Sequence, residues 1–262
     1  MDTIVNAVIK VLGMSVARYF VLAGIPFALF YLLLPGKLRR LKIQGRSAAK
    51  KDFIREISHS MVSVSIFTLY AAAILFTPLR QYTLVYDRVG DYPVFYIGIS
   101  LALSLIIHDT YFYWMHRLLH HKRLFAIAHL VHHKSNNPSP WASYSFHLLE
   151  ALTEGFILLL LVFVLPMHPV TIFLFTVTGF IINVYGHLGY EIAPKWFRYS
   201  WLFEILNTSV HHNLHHSRFK GNYGLYFRIW DRLMGTEHPN YVQEYDKLQE
   251  QRFGGIVKKQ TV

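Results

Sequence analysis

The chain contains no cysteine among its 262 residues. A protein without thiols forms no disulfide bond, holds no iron–sulfur cluster through cysteine and ligates no haem through a thiolate. A transition metal bound by this chain must therefore be held by imidazole nitrogens and carboxylate oxygens. The sequence supplies both donor types, with 16 histidines and 15 acidic residues.

Acidic residues are scarce relative to basic ones, which number 26 and give a net charge of +11. In a soluble protein this excess would favour nucleic-acid binding. Here the basic residues lie beside apolar runs, so loop orientation and contact with anionic lipid explain them better, and no nucleic-acid partner is expected. Residues 37–55 carry eight basic side chains and one acid, Asp52. A short loop this basic is expected on the cytoplasmic side of a membrane.

Long apolar runs are abundant, and 53% of the residues are hydrophobic. Runs that approach bilayer length predict an all-α fold, a multi-pass membrane helical bundle, with residues 1–262 forming one domain. Pro166 and Pro169 favour a turn between the last two runs, which form a hairpin that returns the chain to the side it left. The predicted spans are residues 17–34, 57–76 and 92–107, and the hairpin runs are 148–165 and 170–185.

Histidines are concentrated in two bursts, the first from His108 to His147 and the second from His211 to His216. Each burst follows a long apolar run. The predicted topology places both on the cytoplasmic side, where a histidine-rich cap is expected to form.

The spacing within the bursts follows helical geometry. His116 and His120 are four residues apart and share one helix face. Asp109 lies seven residues before His116 and falls on that face, whereas His108 is rotated away from it. The two HxxHH triplets each repeat the i, i+3, i+4 pattern, which places the three histidines of each triplet on one helix face. His211, four residues before His215, could replace or supplement His212. The triplets are His129, His132 and His133, and His212, His215 and His216.

Nine histidines, counting His187, exceed what one tetrahedral zinc site requires. The count indicates two metals with about four or five ligands each. Two redox metals at a membrane face point to activation of O2 against an unreactive C–H bond. Seven aromatic residues near the first burst either line an apolar lipid pocket or anchor the chain at the interface. They are Tyr111, Phe112, Tyr113, Trp114, Trp141, Tyr144 and Phe146.

The ordered motifs resemble those of the sterol desaturase and fatty acid hydroxylase superfamily, and look most like the sterol C5-desaturases (lathosterol oxidases) and their bacterial relatives. The resemblance covers about residues 105–236. It rests on HD-x6-HR-x2-HH, H-x2-HH, PWASYSFH, HLGYE and HH-x2-HHSRF-x2-NYG-x5-WDR, in that order. A single HxxHH is weak, whereas the ordered set with NYG and WDR is specific.

The resemblance implies a non-haem centre with two irons per chain, O2 as co-substrate and a lipid substrate that is desaturated or hydroxylated. It also implies an electron donor such as a cytochrome b5 or ferredoxin system. The ligands that it implies are His116, His120, His129, His132, His133, His187, His212, His215 and His216, with no catalytic residue beyond them.

Other residues are left with open roles. Some superfamily members have a histidine where this chain has Glu191, which is either a carboxylate ligand or a partner of one. His147 is likewise a ligand or a partner of one. Asp109 and Asp231 are candidates to orient ligand imidazoles, and the alternative for Asp231 is a salt bridge with Arg228 or Arg232.

Two rival functions are considered. One keeps the fold and hydroxylates a fatty acyl, alkylglycerol or carotenoid lipid. The other is a membrane metal transporter or metal-binding protein, against which stands the lack of acidic residues in the middle of the apolar runs. A bacterial inner membrane is favoured over the endoplasmic reticulum, since no retention signal is evident at the C-terminus.

Overall fold

The structure is a computed structural model that describes residues 2–46 and 48–254. The described part is built from α-helices joined by short helical turns, and its β pairing is confined to isolated bridges. The predicted all-helical architecture is thereby confirmed. The helices are α1 (Asp2–Phe27), α2 (Lys50–Phe76), α3 (Tyr96–Leu119), α4 (Leu130–His133), α5 (Leu148–Val164), α6 (Pro169–Gly186), α7 (Trp201–Ile205), α8 (Ser209–Arg218), α9 (Ile229–Leu233) and α10 (Tyr241–Phe253).

Within residues 2–46 and 48–254, three helical segments are long and apolar enough to cross a membrane, namely Ile4–Leu33, Lys50–Phe76 and Pro169–Gly186. The first begins earlier than the predicted span and continues past α1 into a π-helical turn, Ala28–Leu33. Its outer face exposes Ile9 and Ile25 at 59% and 64%. Large apolar side chains left bare along a whole helix indicate a lipid-facing surface.

The predicted third span and the start of the first histidine burst form one continuous helix, α3, of 24 residues. At 1.5 Å per residue this helix is about 36 Å long. Its apolar turns end at His108 and Asp109, and it is not among the three segments apolar enough to cross a membrane. The predicted hairpin is present as α5 and α6, with the turn at Pro166 between them.

The long helices pack around shared apolar clusters. Leu161 and Val162 of α5 pack with Ile74 of α2 and Phe175 of α6. A second cluster joins Tyr19 of α1 to Val64, Trp141, Phe180 and Val184. Burying a side chain of this size contributes about 1.5–3 kcal/mol, so these clusters hold the helices in register.

The C-terminal third covers one end of the helices. α8 packs against both α6 and α10, and Phe203, Tyr241 and Tyr245 form a fully buried aromatic cluster beneath it. This packing places the second histidine burst, on α8, over the ends of α3 and α6.

Candidate metal centre

The nine histidines come together from five separate stretches of chain. One stretch is the end of α3, one is the π-helical turn Phe125–His129, and the others are α4, the end of α6, and α8. They form two groups in which one ligand atom from each residue lies within 4.8 Å of the others. Group one consists of His116, His120, His129, His133 and His215, and group two of His132, His187, His212 and His216.

The two groups do not follow the sequence motifs. His129 and His133 belong to group one, whereas His132, between them in the chain, belongs to group two. The expectation that the three histidines of each HxxHH triplet share one helix face was therefore wrong. Successive residues of a helix are about 100° apart, so the paired histidines of each HxxHH motif point in different directions. α4 and α8 each lie between the groups and contribute to both.

The imidazoles converge through their Nε2 atoms. In group one, His116 Nε2 lies 3.0 Å from His129 Nε2, and His133 Nε2 lies 3.0 Å from His215 Nε2. In group two, His187 Nε2 lies 3.0 Å from His212 Nε2 and 3.2 Å from His216 Nε2. The groups adjoin, with the rings of His133 and His216 stacked 4.9 Å apart.

In four of the nine histidines, the opposite ring nitrogen is anchored to a backbone carbonyl, and in His129 it lies close to a carboxylate. Nδ1 of His116, His187 and His215 donates to the carbonyl oxygens of Tyr223, Asn183 and Gly221, respectively, over 2.7–2.9 Å. Nδ1 of His132 donates to the Ser145 carbonyl at 3.4 Å, and Nδ1 of His129 lies 2.8 Å from Glu150 Oε1. A proton held on Nδ1 leaves Nε2 as a bare lone pair.

Lone pairs aimed at one another repel unless a cation lies between them. Two ligands of one metal, each about 2.1 Å from it at right angles, are about 3.0 Å apart. The closest Nε2 pairs in both groups are 3.0–3.3 Å apart. The donor set therefore fits one transition-metal ion in each group, and all-nitrogen donors suit iron or zinc better than calcium or magnesium.

Burial keeps the imidazoles neutral, which is the form that binds metal. Desolvation lowers the pKa of His133 to about 3 and that of His187 to about 4. The pKa values of His132, His212, His215 and His216 are lowered too, first by desolvation and then by neighbouring histidines.

We expect the metal-free protein to lose stability as the pH falls from 6.5 to 4. The unfolded chain takes up protons on His133 and His187 near pH 6.5, whereas the folded chain takes them up only near pH 3–4. The unfolded state thus binds more protons in that window, and each such histidine lowers the free energy of unfolding by up to about 1.4 kcal/mol per pH unit. Melting temperatures of metal-free protein in nanodiscs, measured from pH 8 to pH 4, check this. A melting temperature that stays level from pH 7 to pH 4 would contradict neutral buried imidazoles.

Three other predicted histidines lie outside both groups. His108 Nε2 is 3.0 Å from Glu154 Oε1 and its Nδ1 is 2.8 Å from Tyr226 Oη. His147 caps α5, where its Nδ1 accepts from the Leu149 amide. His211 is fully buried against the Tyr241 ring, with neither ring nitrogen paired. It neither replaces nor supplements His212.

The three predicted carboxylates also lie outside the groups, and they accept hydrogen bonds from backbone amides instead. Asp109 Oδ1 accepts from the amides of Leu225, Tyr226 and Phe227. Asp231 accepts from the amides of Tyr223 and Gly224 and from Thr236 Oγ1. Glu191 accepts from Tyr185 Oη and from the amides of Ala193 and Val210.

These contacts change the expected role of the carboxylates. Asp231 does not touch an imidazole; it holds the turn whose Tyr223 carbonyl orients His116. Its alternative, a salt bridge with Arg228 or Arg232, is not formed either, because those guanidinium groups pair with Glu237 and Glu204.

Sequence reasoning missed Glu150 and Asn183, which contact the histidines of the two groups directly. Glu150 lies one turn into α5 and faces His129, and the Asn183 carbonyl accepts from His187. Glu150 was detectable as an acid inside an apolar run, a position that usually carries function. The expected lack of acidic residues within the apolar runs was therefore wrong for the run 148–165, which contains Glu150 and Glu154. Asn183 acts through its backbone, which leaves no signal in the residue type.

An apolar cleft with a cavity volume of about 70 Å³ lies between α2, α3, α5 and α6. Aromatic rings of Phe67, Tyr144, Phe175 and Phe180 line it. Asn183 lines it as well, which brings the cleft next to group two. Tyr144 alone of the seven predicted aromatic residues lines this cleft.

The fold and site define a helical membrane protein with two adjoining polyhistidine groups and an apolar cleft beside them. The sequence model of the fatty acid hydroxylase family matches residues 101–236, which include all nine histidines. The chain belongs to the fatty acid hydroxylase family.

Curated relatives bear sterol desaturase names. Lathosterol oxidase from Rattus norvegicus is 32% identical over 73% of this chain and 63% of its own length. Lathosterol oxidase from Homo sapiens is 29% identical over 71% of this chain and 62% of its own length. A Delta(7)-sterol 5(6)-desaturase from Schizosaccharomyces pombe is 32% identical over 76% and 62%. The chain thus spans about 62–63% of the length of these relatives. No solved structure matches the chain.

Proposed function

We propose that this protein is a membrane-bound di-iron oxidoreductase that uses O2 to desaturate or hydroxylate a C–H bond of a lipid, with a Δ7-sterol as the substrate class. The observation that carries the proposal is the pair of adjoining histidine groups, of five and four members. The nine histidines would hold one iron in each group. The names of the relatives support the sterol as substrate.

The iron pair would supply reduction of O2 with two electrons from a donor protein and two from the substrate, giving two waters on desaturation, or one water and the oxygen of the new alcohol on hydroxylation. The chain contributes geometry and exclusion of water. Backbone carbonyls and Glu150 fix the imidazole orientations. Eight of the nine histidines are buried, so water has little access to the ligands.

The cleft is the proposed lipid site. Its rings match an apolar substrate, and its contact with Asn183 brings bound lipid to the edge of group two. A pre-formed apolar wall places a particular carbon near the metals at little entropic cost.

The proposed orientation puts the histidine groups on the cytoplasmic side. The basic loop 37–55 lies at the same end of the molecule, because Gln44 and Arg46 bond to Asn136, which follows α4. A cytoplasmic electron donor of the cytochrome b5 or ferredoxin type would approach this end.

Turnover of lathosterol by iron-loaded protein in nanodiscs tests the function. With O2 and a reducing system, mass spectrometry is expected to show loss of two hydrogens for desaturation, or gain of one oxygen for hydroxylation. Anaerobic samples should leave the sterol unchanged. Consumption that does not depend on O2, or none when the iron sites are full, would contradict the proposed reaction.

A further inference from the structure

The cleft is lined mainly by apolar and aromatic side chains, and a buried polar trio formed by His108, Glu154 and Tyr226 lies among them. These side chains come from α3, α5 and the loop before α9. Glu154 is 8% exposed and His108 is 6% exposed. An acid is seldom buried in an apolar wall without a partner or a ligand.

The trio has one consistent hydrogen-bond direction. Glu154 Oε1 accepts from His108 Nε2, and this leaves His108 Nδ1 to accept from Tyr226 Oη. Tyr226 reaches across because residue 179 is glycine, where a Cβ atom would lie 2.6 Å from the hydroxyl oxygen. The backbone amide of Tyr226 is held in turn by Asp109.

The second carboxyl oxygen, Glu154 Oε2, is buried and has no partner. Glu154 and its two partners line the cleft, so an unpaired acceptor lies buried in the cleft wall, where a hydroxyl group that enters between these side chains would reach it. A hydroxyl group needs one acceptor for its proton, whereas an ammonium group carries three donors and needs more.

The trio lies at a defined distance from the metal centre. Glu154 is one helical turn beyond Glu150, which contacts His129, and His108 is eight residues before His116 on α3. Eight residues of helix span about 12 Å. The trio therefore lies about 12 Å along α3 from His116 of group one.

We propose that Glu154 is a specificity-determining residue that accepts a hydrogen bond from a hydroxyl group of the lipid in the cleft. The inference rests on the proposed function for the identity of the cleft as the substrate site. His108 and Tyr226 act as positioning residues, which hold Oε1 and leave Oε2 for the lipid.

Binding of matched alcohols and methyl ethers tests the inference without turnover. Tritiated lathosterol and its 3-methyl ether form one pair of probes, and hexadecanol and 1-methoxyhexadecane form the other. Both pairs are bound to wild-type protein in nanodiscs without reductant. The alcohol is expected to bind about tenfold or more tightly than the ether in at least one pair, the effect of a hydrogen bond to a charged acceptor.

Three variants distinguish the effect of the Glu154 carboxylate on alcohol binding from the effect of a general change in the cleft. Glu154→Leu is expected to bind alcohol and ether equally, and Glu154→Gln, which keeps an acceptor oxygen, to retain part of the preference. Thr153→Val, on the exposed face of the same helix, should match the wild type. Melting temperature and metal content show whether each variant folds.

The outcomes for this inference and for the proposed function are distinct. No alcohol preference in either pair, or a preference that survives Glu154→Leu, overturns the inference. Turnover of lathosterol with an unchanged preference in Glu154→Leu refutes the inference alone. A preference that depends on Glu154, without any O2-dependent product, refutes the reaction alone.

Discussion

Replacing His132 by alanine is expected to lower turnover by more than about 100-fold and to remove one of two metal ions. Loss of an outer hydrogen-bond partner of a metal ligand typically costs about 10–100-fold, and His132 is one of only four imidazoles in group two. Its Nε2 lies 3.3 Å from His187 Nε2, so the substitution opens that site directly. Metal content per chain, with iron and zinc quantified separately, is measured beside lipid turnover.

The adjacent residue offers a sharper comparison. His133→Ala is expected to empty group one instead, and the double variant to hold neither ion, because the two side chains serve different groups. His121→Ala is the matched control: His121 follows His120 directly but is exposed and contacts only the local backbone amide of Arg123. A normal metal load in both single variants would refute the assignment of these histidines as ligands.

Removal of the metal is expected to abolish turnover and leave the helices folded. The apolar clusters that join α1, α2, α5 and α6 include none of the nine histidines, so helix content measured by circular dichroism should persist. The melting temperature should fall, because a ligand that binds only the folded state stabilises it. Chelation followed by activity and melting measurements checks both effects.

Adding different metals back to the metal-free protein distinguishes metal binding, which stabilises the fold, from redox chemistry, which turnover requires. Ferrous iron should restore both the melting temperature and turnover. Zinc should restore the melting temperature alone, because it binds imidazole well but has no redox chemistry. Turnover that continues after iron is no longer detectable would rule out the proposed reaction, and an unchanged melting temperature after zinc is added would argue against the sites themselves.

The spacing of apolar residues and histidines in the sequence predicted much of the fold and of the candidate site. The apolar runs predicted the long helices and the α5–α6 hairpin to within a few residues, apart from the early starts of α1 and α2 and the length of α3. The absence of cysteine and the four-residue spacing of His116 and His120 pointed to imidazole donors. The structure brings together the nine histidines predicted as ligands, and their metal binding remains a prediction.

The tertiary structure decided how those residues are shared and what surrounds them. Sequence spacing specifies the angle between two side chains of one helix, but not which neighbouring helix each of them meets. The division of His132 and His133 between two groups therefore depends on where α4 lies between α3, α6 and α8. Asp109, on α3, accepts a hydrogen bond from a backbone amide more than a hundred residues later in the chain. Asp231, on α9, accepts one from the loop that precedes α9. Glu154 contacts His108, which is 46 positions away in the sequence. Contacts of this kind depend on long-range packing and on backbone carbonyls and amides, which every residue type carries, so no pattern of side chains encodes them.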